Sequence, residues 1–61
     1  MEDIDVTNEQ LVCVNGIAIA VLNPSMVMTK EQALVHAAWL VVLAEEKEGE
    51  FEKVLEAVKN T

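Results

Sequence analysis

The sequence predicts an α+β fold: a short antiparallel β-meander or hairpin, then one long apolar helix and a short amphipathic C-terminal helix, packed in an oligomer. Three observations carry this. Asn15-Gly16 lies between two apolar, β-branched runs in "LVCVNGIAIAVL", the signal of a tight hairpin. "TKEQ", residues 29–32, has the spacing of a helix capping box. "ALVHAAWLVVLA", residues 33–44, contains one polar side chain, His36, and is therefore apolar almost all the way round.

The elements follow in chain order. Ile4–Val6 reads as an upstream strand that turns at "TNEQ" to make a meander, because a two-stranded hairpin alone is marginal in water. With a two-residue Asn15-Gly16 loop of type I′, Val14 stands opposite Ile17, Val12 opposite Ile19 and Leu11 opposite Ala20. Alternation then places Val12, Val14, Ile17, Ile19 and Val21 on one face, and Leu11, Cys13, Ala18, Ala20 and Leu22 on the other. Asn23-Pro24 ends the sheet, since proline donates nothing to a ladder.

Thr29 is the N-cap of the first helix, Gln32 completes its capping box, and Glu31 suits the positive end of the helix dipole. This helix is expected from Lys30 to Glu46. Ala33, Ala37 and Ala44 form a smooth strip flanked by Leu40 and Val41, while Trp39, Val35 and Val42 lie roughly opposite and also need cover. Gly49 breaks or ends the helix. "EFEKVLEAVKN" then places Phe51, Val54, Leu55 and Val58 on one stripe. A single helix running through Gly49 is the alternative, disfavoured because Lys47 and Glu48 interrupt the seam.

Length and composition say what must hold these pieces together. Sixty-one residues make one domain, residues 1–61, and a chain of this size buries only about 60% of its unfolded surface. Cys13 is the only cysteine, so no intramolecular disulfide can form. One cysteine and one histidine are too few for a structural zinc site. A partner subunit is what remains. The expected homodimer or higher oligomer buries Val35, Trp39 and Val42 of the helix and Val12, Val14, Ile17 and Ile19 of the hairpin. The alternative is a monomer whose second helix folds back over this surface.

Charge limits the partners. Eleven acidic residues face four lysines, for a net charge of −7, and there is no arginine. Such a chain repels nucleic acid, nucleotides and anionic membrane surfaces. The twelve-residue apolar run would rise about 18 Å as a helix against a hydrocarbon core of about 30 Å, too short to span. No basic n-region opens the chain, and a cytoplasmic location is expected.

Few residues invite chemistry. His36 has no nucleophile or orienting carboxylate beside it in sequence and reads as an edge or core histidine. Cys13, between two valines, reads as a small buried hydrophobe. Trp39, Met26 and Met28 could line a ligand pocket, though such residues more often serve as core or interface. There is no Gly-rich phosphate loop, paired metal-ligand motif or Ser-His-Asp set, so no catalytic, cofactor or metal site is expected. Glu45, Glu46, Glu48, Glu50 and Glu52 form an acidic run, with Glu2, Asp3 and Asp5 as a second patch. The run reads either as a mimic of a phosphate ladder that engages a basic partner, or as a solvated face that keeps an apolar oligomer soluble. The second reading is preferred.

"VNGIAIAVLNP" followed by "MTKEQALVHAAWLVVLAE", roughly residues 11–45, resembles small uncharacterised phage-encoded accessory proteins in which a short meander precedes a capped, Ala-rich helix. The resemblance implies a protein that acts by binding, inhibiting a host or defence protein. It assigns no site residues. The expected function is therefore that of a non-catalytic oligomeric interaction protein. The alternatives are a small-ligand binder with a pocket at the oligomer interface around Trp39 and His36, and a structural assembly component.

Overall fold

The computed structural model describes residues 4–61, so Glu2 and Asp3 of the second acidic patch lie outside the described residues. Two antiparallel strands, β1 (Val12–Asn15) and β2 (Ala18–Val21), precede two helices, α1 (Lys30–Ala44) and α2 (Glu50–Lys59). The expected α+β layout is present, with a hairpin rather than a meander. Ile4–Val6 is irregular and pairs with neither strand.

The side chain of Asn8 explains why no third strand is needed there. Val12 stands opposite Val21, a pair outside the hydrogen-bonded Cys13–Ala20 and Asn15–Ala18 rungs, so its backbone groups turn toward the outer edge of β1. Asn8 Oδ1 accepts from the Val12 N–H at 2.9 Å, and Asn8 Nδ2 donates to the Val12 carbonyl at 2.9 Å. One side-chain amide thus satisfies the two groups that a neighbouring strand would have met. The expected turn at residues 7–10 is present, closed by the Leu11 N–H donating to the Asn8 carbonyl. Leu11 leaves it in the left-handed region, at φ 50°.

The hairpin register differs from the expected one. The pairs are Val12–Val21, Cys13–Ala20, Val14–Ile19 and Asn15–Ala18, so the loop is Gly16-Ile17 rather than Asn15-Gly16. Type I′ needs positive φ at both central residues, whereas here only Gly16, at φ 64°, is positive. Glycine at the first central position is the pattern of type II′. Relative to the expected register, each residue's partner moves by two. An even shift leaves every side chain on its own face, so the face assignments survive; a shift of one would have reversed them. Ile17 is the exception, standing wholly exposed at the loop tip.

Thr29 caps α1 as the sequence requires: its hydroxyl accepts from the Gln32 N–H at 3.1 Å, and Gln32 Oε1 accepts from the Thr29 N–H at 2.9 Å. The helix stops at Ala44, two residues before the expected Glu46, because Glu45 is extended at ψ 118°. Gly49 does separate the helices. It does so as the N-cap of α2 in a left-handed conformation, φ 93°, and offers no side-chain cap of its own.

Packing within the chain is sparse. α1 lies against both strands, yet Val12 is the one deeply buried apolar residue among those described, at 3% exposure. The accessible surface is 5513 Å², whereas a monomeric folded protein of 6.7 kDa shows roughly 3900 Å². The radius of gyration, 12.7 Å, likewise exceeds the roughly 10.5 Å expected of a compact chain this long. No helix among the described residues is long and apolar enough to cross a membrane.

Candidate functional site

Two features of the surface are candidates: the apolar area that the chain leaves bare, and a cleft beneath the N-terminal segment.

The bare area is organised by the helices. Along α1, Leu34, Ala38 and Val42 are exposed at successive turns, while Ala33, Val35, His36, Ala37, Trp39, Leu40, Val41 and Leu43 are half-buried. Leu34 and Val42 are each 72% exposed. Residues four apart lie on one face, so these three form one stripe. α2 adds Phe51, Val54, Leu55 and Val58, all exposed, because the helix stands clear of the hairpin. It does not fold back over α1 as the monomeric alternative required. Where it meets the end of α1, a small hollow is lined by Val41, Ala44, Phe51 and Val54.

The residues expected at an oligomer interface separate into groups. Val42 is on the bare stripe, and Val14 and Ile17 are exposed. Ile19 is half-buried. Val12 is already covered by its own chain and has no surface to offer. Val35 and Trp39 stand on Val42's side of the helix, Val35 two turns before it, but they are half-buried and line the cleft. Ala44, placed with the inward strip, is exposed. Leu34 and Ala38 were missed, since a helix apolar on every side carries no signal of which side is out.

The cleft, about 470 Å³, lies between the 5–10 segment, the 25–32 segment and α1, with Val35, His36 and Trp39 on its wall. Met28 lines it, whereas Met26 is fully exposed. Trp39 Nε1 donates to the Val6 carbonyl at 2.8 Å, which ties the N-terminal segment to α1. Asp5 holds that segment in shape: one carboxylate oxygen accepts from the Thr7 hydroxyl at 2.6 Å and from the Thr7 N–H at 3.0 Å. Those two bonds, the hydroxyl first, hold the Asp5 carboxyl below its ordinary range. Gln10, which sequence reasoning overlooked, is buried at 8% exposure. Its Oε1 accepts from the Ser25 N–H at 3.2 Å, and its Nε2 approaches Met28 Sδ at 3.6 Å. This cleft is formed within one chain, whereas the ligand pocket considered from the sequence lay between copies. Cys13, a half-buried thiol in β1, is not among its lining residues.

The acidic run is divided by its hydrogen bonds. Glu50 Oε1 accepts from the backbone N–H groups of Glu46, at 2.7 Å, and Lys47, at 2.6 Å. Glu45 Oε2 accepts from the Phe51 N–H at 2.8 Å, supplying the N-terminal cap that Gly49 cannot. These two carboxylates lock the interhelical bend. Glu46, Glu48 and Glu52 are the exposed members whose side chains no such bond engages.

Compared with family models, curated proteins and solved structures, the chain matches none. The reading of its function therefore rests on its own surface and chemistry.

Proposed function

We propose that this chain is a non-catalytic interaction protein that self-associates and acts by binding another protein. The observation that carries this is its bare surface: 5513 Å² is exposed, about 1600 Å² beyond the area expected of a folded monomer of this mass. A standard interface takes about 800 Å² from each partner. The bare surface therefore exceeds what one such interface takes from each partner. The resemblance to phage accessory proteins favours a host or defence protein as that second partner. Sedimentation equilibrium at micromolar concentration tests the first part, with a mass at least twice 6.7 kDa expected. Capture from a host lysate at low and high salt tests the second.

The Trp39 and His36 cleft favours a second reading, a small-ligand binder. Its 470 Å³ falls within the range of about 300–1000 Å³ typical of ligand sites. Ligand-induced change in Trp39 emission, measured across a metabolite panel, discriminates the two, because a purely protein-binding chain gives none.

A further inference from the structure

The two edges of the hairpin are finished differently. On β1, Asn8 meets the outward N–H and carbonyl of Val12. On β2, the residues outside the hydrogen-bonded Cys13–Ala20 and Asn15–Ala18 rungs are Ile19 and Val21, which stand opposite Val14 and Val12. Their N–H and carbonyl groups therefore point away from β1, along the outer edge of the sheet. Among the described residues no hydrogen bond within the chain meets these four groups. The edge also lacks the usual protection, since β2 reads Ala-Ile-Ala-Val, with no charge or proline, and its pairing with β1 runs without a bulge.

Backbone groups in this pattern are met by an extended strand. The geometry points to β2 of a second copy of this chain, paired antiparallel about a twofold axis at Ala20. This deepens the self-association reading and rests on it. The occupant follows from the register. Ile19 and Val21 stand on either side of Ala20, so turning β2 end for end sets Ile19 opposite the copy's Val21, and Val21 opposite its Ile19. Each pair exchanges both of its N–H···O=C bonds, so the four edge groups of each chain are all satisfied, and residue i meets j as j meets i. Ala20 meets its own copy in the pair between them, where Cα atoms come within about 4.5 Å and a small side chain fits. Charge favours the same seam: two chains of net charge −7 must avoid setting carboxylates against each other, and residues 11–29 contain no Asp, Glu, Lys or Arg. The β1 edge is a poorer seam, because Asn8 already occupies Val12 and leaves only Val14. Paired residues point to one side of a sheet, so α1, which lies against both strands, and its copy share a face of the four-stranded sheet that results.

Amide hydrogen exchange on the wild-type chain, at a concentration where sedimentation shows it dimeric, tests this. The Ile19 and Val21 amides should exchange at least about tenfold more slowly than the Val14 amide, which faces the other edge without a bond. Single-cysteine variants in a Cys13→Ala background give a second readout. The Ala20 pair falls within the about 4.4–6.8 Å between Cα atoms that a disulfide spans, so Ala20→Cys should oxidise to a covalent dimer. Ala18→Cys should stay reduced, because its place opposite is taken by the copy's Leu22. Ile19 and Val21 amides that exchange as fast as Val14 in a dimeric sample overturn the β2 seam and leave self-association standing. So does an Ala20→Cys chain that stays reduced. Protection that appears only when another protein is added makes the edge a site for a foreign strand and overturns the second copy as its occupant. A monomeric wild-type chain at millimolar concentration overturns both the seam and self-association.

Discussion

Val42→Glu places a charge in the middle of the bare stripe. Val42 is 72% exposed in the protomer, so a second copy has most of its side chain left to cover. Fully burying a valine stabilises by about 1.5 kcal/mol, which makes this site worth about 1 kcal/mol and the symmetric pair about 2 kcal/mol. The substitution removes that and leaves two carboxylates against the partner's apolar side chains, at about 1–3 kcal/mol each without a partner. The dimer should lose at least about 4 kcal/mol, a thousandfold in Kd. Glutamate is a better helix former than valine, so α1 itself is not weakened by propensity. Met26→Glu is the control: it adds the same charge at a fully exposed loop position away from α1. Sedimentation equilibrium across a concentration series, with circular dichroism on the same samples, reads the result. Dissociation in Val42→Glu alone is expected, with unfolding on dilution if the protomer depends on its partner. An unchanged Kd in Val42→Glu, or equal weakening by Met26→Glu, would refute the reasoning.

Three other outcomes follow from the structure. Asn8→Ala removes both bonds to the Val12 backbone and should cost about 1–3 kcal/mol in urea unfolding, since those groups have no alternative partner at a buried residue. The Asp5 carboxyl titrates lower in the folded chain than in the unfolded one. Its contribution is thus present above the unfolded pKa of about 3.9 and lost as pH falls through the folded value. Acidification should accordingly release the Val6–Trp39 bond and shift emission from the chain's only tryptophan, while Asp5→Asn, which keeps an acceptor for Thr7, should flatten that response. Changing Glu46, Glu48 and Glu52 together to Gln should lower solubility and leave the capture of a protein partner and its salt dependence unchanged. A folded triple variant that lost its partner would favour phosphate mimicry; Glu50 is excluded from this test because it caps the bend.

Much of the local structure was legible because its causes are local. The Thr29–Gln32 capping box depends on residues three apart, and the structure forms it with both bonds. Asn23-Pro24, Gly16 and Gly49 mark the chain reversals through backbone preferences that each residue carries wherever it sits. The α2 stripe of Phe51, Val54, Leu55 and Val58 was legible because charged residues bound it on the other side. The hairpin was legible as a hairpin, but its register was not. Glycine supports a type I′ loop with Asn15 or a type II′ loop with Ile17, and both keep the same faces.

The amino-acid sequence by itself determined the order of hairpin and helices, the Thr29 cap of α1 and an apolar surface too large for one small chain to cover. Those follow from backbone propensities and the balance of surface to volume, which need no knowledge of contacts. Tertiary structure alone decided direction. Asn8 stands in for the missing strand because a turn folds it back against Val12, and Glu45 and Glu50 become caps because the chain bends between them. On α1, where nearly every side chain is apolar, no pattern separates inside from outside. The side that faces out, Leu34, Ala38 and Val42, is set by which residues the cleft and the hairpin have already taken.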